Sequence, residues 1–148
     1  MNASRPGHSP MAQFPVIDGC LSVGGLPLTR LAARVGQTPF YAYDRRLLDE
    51  RVALLRRALP PAIEVHYAIK ANPMPAVVRH LAGLVDGLDV ASLGELKVAL
   101  DAGMDPGRIS FAGPGKRPPE LAAAIAAGIT LNLESFNETE TVARLSQE

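Results

Sequence analysis

From Pro39 onward the chain alternates short runs of β-branched or aromatic residues with longer runs that are apolar at helical spacing. This alternation restricts it to the α/β class. A first strand is expected at residues 40–43, and Asp44 stands where it can cap a helix through Leu47, Leu48, Val52 and Leu55 that Pro60 and Pro61 stop. Further strands are expected at residues 63–70, 88–91, 109–112 and 129–133. Pro75 opens a helix with Val77, Val78, Leu81 and Leu84 on one face. Ser92 with Glu95 and Ser135 with Glu138 form two S-x-x-E capping boxes, and Gly103 and Gly128 provide left-handed stops. The strand starts lie about 20–25 residues apart, the rhythm of a (β/α)8 barrel of ~250 residues, so about four βα units amount to half a TIM-like barrel.

Side chains alternate between the two faces of a strand, so each run sorts into two columns. Val65, Tyr67, Ile69, Leu88, Val90, Ile109, Phe111, Leu131 and Leu133 make one column, apolar throughout and suited to lie under helices. Glu64, His66, Ala68, Lys70, Asp89, Ala91, Ser110, Ala112, Thr130, Asn132 and Glu134 make the other, small or polar throughout. A sheet buried on both faces would be apolar on both. A polar inner column is expected in a barrel interior opening on a site, and Lys70 and Asp89 fall at the strand ends where barrels carry their chemistry.

Charge narrows the function classes. Lys and Arg together equal Asp and Glu at 15 each, so there is no basic field to draw the chain to nucleic acid or an anionic membrane. Residues 121–127, the most apolar stretch, are far shorter than the ~20 needed to span a bilayer. Cys20 is the single cysteine, which excludes an internal disulfide and fits a reducing compartment. A cytoplasmic protein acting on a small molecule is expected, with no metal site. Residues 1–15 read as a flexible leader, residues 16–38, punctuated by Gly19, Gly24, Gly25, Pro27 and Gly36, as an irregular or β-rich segment, and residues 39–148 as the partial barrel.

At residues 67–73 the chain reads Y-A-I-K-A-N-P. This resembles the Y-A-x-K-x-N motif of the diaminopimelate, ornithine and arginine decarboxylases. T-P-F-Y-A-Y-D at 38–44, G-L-D-V-A-S-L-G-E-L at 87–96, I-S-F-A-G-P-G-K at 109–116 and L-N-L-E-S at 131–135 resemble further segments of that family, in the same order. Several motifs in register are far more specific than one. The resemblance covers residues 35–148, is nearest the diaminopimelate branch, and extends to decarboxylase-like proteins associated with bacterial exosortase gene clusters.

The resemblance implies fold type III, the alanine racemase-like barrel, with pyridoxal 5'-phosphate as cofactor held as a Schiff base on Lys70. It implies a pyridoxal-phosphate-dependent carboxy-lyase acting on a diaminopimelate-like or other basic amino acid, and a homodimer at full length. It also implies that the grip on the phosphate, the partner of the pyridine nitrogen and a C-terminal β domain lie beyond Glu148, so that the barrel is incomplete and the 148-residue chain is expected to be inactive alone. A partly desolvated lysine at a strand end suits attack on an aldehyde.

Lys70 is the candidate catalytic residue, and Lys70, Asp89, His66 and Ala68 are the candidate cofactor-binding residues. Asp89 could instead satisfy loop N–H groups, and His66 could be a hydrogen-bonded core histidine. Glu95 resembles a family position near the lysine, yet its capping box accounts for it. The Gly113, Gly115, Lys116 run lacks a P-loop's first glycine and its Ser or Thr, and reads as a tight turn. Arg51, Arg56 and Arg57 read as a solvated face. Competing functions are a fold-III racemase or pyridoxal-phosphate homeostasis protein and, in another class, a non-catalytic cofactor-binding or truncated partner protein.

Overall fold

The computed structural model describes residues 12–147. Residues 1–11 of the expected leader therefore lie outside the described residues. The chain divides into two compact units between Arg51 and Val52.

In the first unit, β1 (Val16–Ile17), β2 (Cys20–Val23) and β3 (Leu26–Pro27) form an antiparallel sheet in that order. Both connections are two-residue turns with positive φ throughout, at Asp18 and Gly19 (50° and 72°) and at Gly24 and Gly25 (58° and 75°). That backbone matches the twist of the flanking strands and explains the glycines. An unforeseen helix, α1 (Leu28–Val35), follows. Its signal was present, since Leu28, Leu31, Ala32 and Val35 recur at helical spacing. The strand expected at residues 40–43 does not form, because no described strand pairs with it. Asp44 caps α2 (Arg45–Ala58) as foreseen, its carboxylate accepting the Arg46 N–H at 2.9 Å and also the Gly24 N–H at 3.2 Å.

The second unit is built on β4 (His66–Ala68), β5 (Gly87–Val90), β6 (Ile109–Phe111) and β7 (Thr130–Leu131), parallel and adjacent in chain order. The helices α3 (Pro75–Ala82), α4 (Leu93–Asp101) and α5 (Pro118–Ala127) connect them, and α6 (Phe136–Leu145) follows the last strand. Ile69, Leu88, Val90, Ile109 and Phe111 are at most 2% exposed and join Val78, Leu96, Ala99, Met104 and Ala124 in one core, with Tyr67 and Leu131 packed against it. The apolar column thus lies where its chemistry demands, except at its two ends: Val65 precedes β4, is half-buried and is not part of this core, and Leu133 is exposed past the end of β7. The strands are shorter than the apolar runs suggest. Residues 63–65 precede β4, and Ile69–Ala71 leave it as a 3-10 turn.

Both serine caps form, each with one difference. Ser92 accepts the Glu95 N–H and Ser135 the Glu138 N–H. The glutamates reach one residue further back than a capping box requires, to the Ala91 and Glu134 N–H groups, both at 2.9 Å. Glu120 bridges two helix starts, accepting from Arg117 N–H and Leu93 N–H at 3.0 Å each, and these bonds hold its carboxyl below the ordinary range.

Arg56 is not simply solvated. Its guanidinium donates at 2.5 Å to Asp86, whose same oxygen accepts the Val65 N–H at 2.7 Å. These bonds lower the Asp86 carboxyl from its ordinary 3.8 to about 2. The unfolded chain therefore takes up a proton first, so the stabilisation is whole above about pH 4 and is lost as pH falls toward 2. Urea unfolding across that window should show stability falling with acid, less steeply in Arg56→Gln. Equal slopes would show that Arg56 does not set the Asp86 titration.

Candidate active site

The site is built where the polar column leaves the sheet. Ala68, Asp89, Ser110 and Thr130 are register partners across the four strands. Immediately past this row a cavity of about 230 Å3 is lined by Ala68, Lys70, Asp89, Ala91, Ser110, Ala112, Gly113 and Asn132, together with Val90. All but Val90 and Gly113 belong to the column assigned to the inner face.

Lys70 reaches this cavity from the 3-10 turn Ile69–Ala71 rather than from a strand. Its neighbours in the motif shape that turn. The Tyr67 hydroxyl donates to the Asn72 carbonyl at 3.1 Å, the Asn72 N–H donates to the Ile69 carbonyl at 3.0 Å, and the Asn72 side-chain oxygen accepts the Met74 N–H at 3.0 Å. Buried Ile69 anchors the turn from beneath while Lys70 stays exposed. Tyr67 and Asn72 were not singled out as functional from the sequence. Their fixed places around the lysine in Y-A-x-K-x-N were the available signal. Tyr67→Phe should cost about 1 kcal/mol in urea unfolding. An unchanged midpoint would show that the phenol does not hold the turn.

No hydrogen bond or ion pair engages the Lys70 amine among the described residues. Asp89 shares the cavity but makes no ion pair with it. Its carboxylate instead accepts the Ser110 hydroxyl and lies 3.4 Å from His66 Nδ1. His66 is not a lining residue. It lies between Asp89 and Glu64, whose carboxylate is 3.6 Å from Nε2, and it covers Gly87, where a Cβ would meet the imidazole and come within 2.5 Å of the Arg108 carbonyl. Glu95 faces the Ala91 N–H, as its capping role requires.

The residues present suit the aldehyde end of pyridoxal phosphate. Ala68, Ala91, Ala112 and Gly113 leave room for a flat ring, the Lys70 amine is unengaged, and Asp89, Ser110 and Asn132 offer polar contacts.

Residues 45–148 match the family model described as pyridoxal-dependent decarboxylase, pyridoxal binding domain. The chain is 38% identical over 141 residues to the diaminopimelate decarboxylase of Zymomonas mobilis, covering 92% of this chain and 33% of that protein. A crystal structure of an Aquifex aeolicus protein superposes with a TM-score of 0.83 at 38% identity, over 89% of this chain and 33% of that one. Diaminopimelate decarboxylase from Helicobacter pylori, solved in complex with L-lysine, gives a TM-score of 0.71 at 35% identity, over 80% of this chain and 31% of that one. The chain therefore spans about a third of the length of the curated relatives it matches. Its parallel sheet and helices correspond to the N-terminal α/β portion of their barrel. On both sequence and fold, the chain belongs to the pyridoxal-dependent decarboxylases.

Proposed function

We propose that this chain carries the cofactor-anchoring part of an amino-acid decarboxylase, with Lys70 as the residue that holds pyridoxal 5'-phosphate. The observation that carries the reading is the unengaged Lys70 amine, set by the Tyr67 and Asn72 turn into a cavity floored by small side chains. The bound cofactor supplies an electron sink for the pair of electrons released when carbon dioxide departs. With the cofactor bound, Lys70 would be the residue that holds it through its side-chain amine, and that amine would be placed to carry a proton to or from the substrate carbon. Asp89, held by Ser110 and His66, contributes a carboxylate to the lining of the same cavity. Ala68 would leave room for the cofactor by contributing a small side chain to the cavity lining.

Diaminopimelate is the substrate favoured by the names of the curated relatives. Residues 39–148 would form the barrel portion, and the reading includes a homodimer at full length and a cytoplasmic location. Among the described residues no helix is long and apolar enough to cross a membrane. The full-length protein, loaded with pyridoxal phosphate and given meso-diaminopimelate, should release carbon dioxide and form lysine. Loss of stereochemistry at the α-carbon without carbon dioxide would replace decarboxylation with racemisation.

A further inference from the structure

The F-A-G-P-G-K run contains a cation that the proposed chemistry does not use. The Lys116 side chain is 1% exposed, enclosed by residues of this chain. Burying a charge is unfavourable unless it is paired and hydrogen-bonded. Its ammonium donates to the Gly113 carbonyl at 2.5 Å, lies 3.2 Å from Glu138 Oε1 and 4.0 Å from Glu134 Oε1, and stands 5.9 Å above the Phe111 ring centre. Glu134 Oε1 in turn accepts the Gly113 N–H at 2.5 Å, and Glu138 accepts the Glu134 N–H at 2.9 Å. The main chain is therefore held on both sides of the Gly113 α-carbon, the N–H by Glu134 and the carbonyl by Lys116. Gly113 has φ 128°, a conformation side-chain-bearing residues rarely adopt, and it lines the cavity into which Lys70 points.

We propose that Lys116 is a positioning residue for the cofactor cavity. Together with Glu134 and Glu138 it ties the loop after β6 to the start of α6, and so fixes the Gly113 rim of the cavity that would receive the cofactor. The inference rests on the reading of Lys70 as cofactor anchor. Lys116 does not touch the cavity and acts only through Gly113.

The test is titration of the full-length protein with pyridoxal phosphate, followed by absorbance, in the wild type, Lys116→Met, Glu134→Ala and the double variant. Each single change should weaken binding about tenfold, because a displaced rim misplaces the ring. Since both residues act on one peptide segment, the double variant should be weakened about tenfold as well, not a hundredfold. Folded Lys116→Met with wild-type affinity would overturn the proposal, as would additive losses in the double variant. Should Lys116→Met not fold, Glu134→Ala decides, since Glu134 is half-exposed: weakened binding supports the proposal and wild-type affinity overturns it. Failure of the underlying reading would look different, because the wild type would then show no cofactor attached to Lys70, and the inference would fall with it.

Discussion

Lys70→Ala is expected to abolish covalent cofactor attachment and to lower decarboxylation by the full-length protein on the order of 10²–10⁴-fold or more, while leaving stability within about 0.5 kcal/mol of wild type. The two halves of this expectation have separate causes. Lys70 is exposed and has no hydrogen-bond or ion-pair partner among the described residues, so removing its amine leaves no buried group unsatisfied. The turn that presents it is held by Tyr67, Ile69 and Asn72, not by the lysine itself. Chemistry has no such substitute, since among the described residues no other amine lines the cavity. Lys70→Arg should be as inactive as the alanine variant, because a guanidinium stays protonated and cannot attack an aldehyde. Turnover, cofactor absorbance and thermal unfolding measured together check the expectation. Retained turnover in either variant would remove Lys70 from the reaction, and large destabilisation would show that it braces the turn.

Phe111→Ala should be the most damaging change to the fold, costing about 3–5 kcal/mol. Phe111 is completely buried on β6, between two paired strands, and its face also receives the Lys116 ammonium. Truncation removes the ring's packing, leaves a cavity at the centre of the sheet and strips one wall from a buried cation. Leu133→Ala, in the same column but past the end of β7 and exposed, should change stability by only about 0.5 kcal/mol. Urea unfolding of the two variants compares them directly. A Phe111→Ala loss no larger than that of Leu133→Ala would mean that the apolar column is not the core.

What was legible in the sequence was periodic. Alternation along four strands separated Leu88, Val90, Ile109 and Phe111 from Asp89, Ser110 and Asn132, and the fold places the first group under helices and the second around the cavity. Capping was equally readable, because Asp44, Ser92 and Ser135 act within a few residues of their own positions. Strand ends were less so. A β-branched run at residues 63–70 gives no sign of where pairing stops, and β4 keeps only His66–Ala68 because only those residues find partners in Gly87, Leu88 and Asp89. Residues 40–43 carry the same local preference and pair with no strand among the described residues. Contacts between distant segments were beyond reach of pattern. The bond from Ser110 to Asp89, the pairing of Arg56 with Asp86 and the enclosure of Lys116 by Glu134 and Glu138 each join residues whose spacing in the chain has no regular period.

The central claim is that Lys70 is the residue that holds the cofactor. Borohydride reduction of the full-length protein in the presence of pyridoxal phosphate, followed by peptide mapping, tests it most directly. The expected result is a single labelled lysine at position 70, with the label absent from Lys70→Ala. A label on Lys97, Lys116 or any other lysine, with Lys70 unmodified, would contradict it.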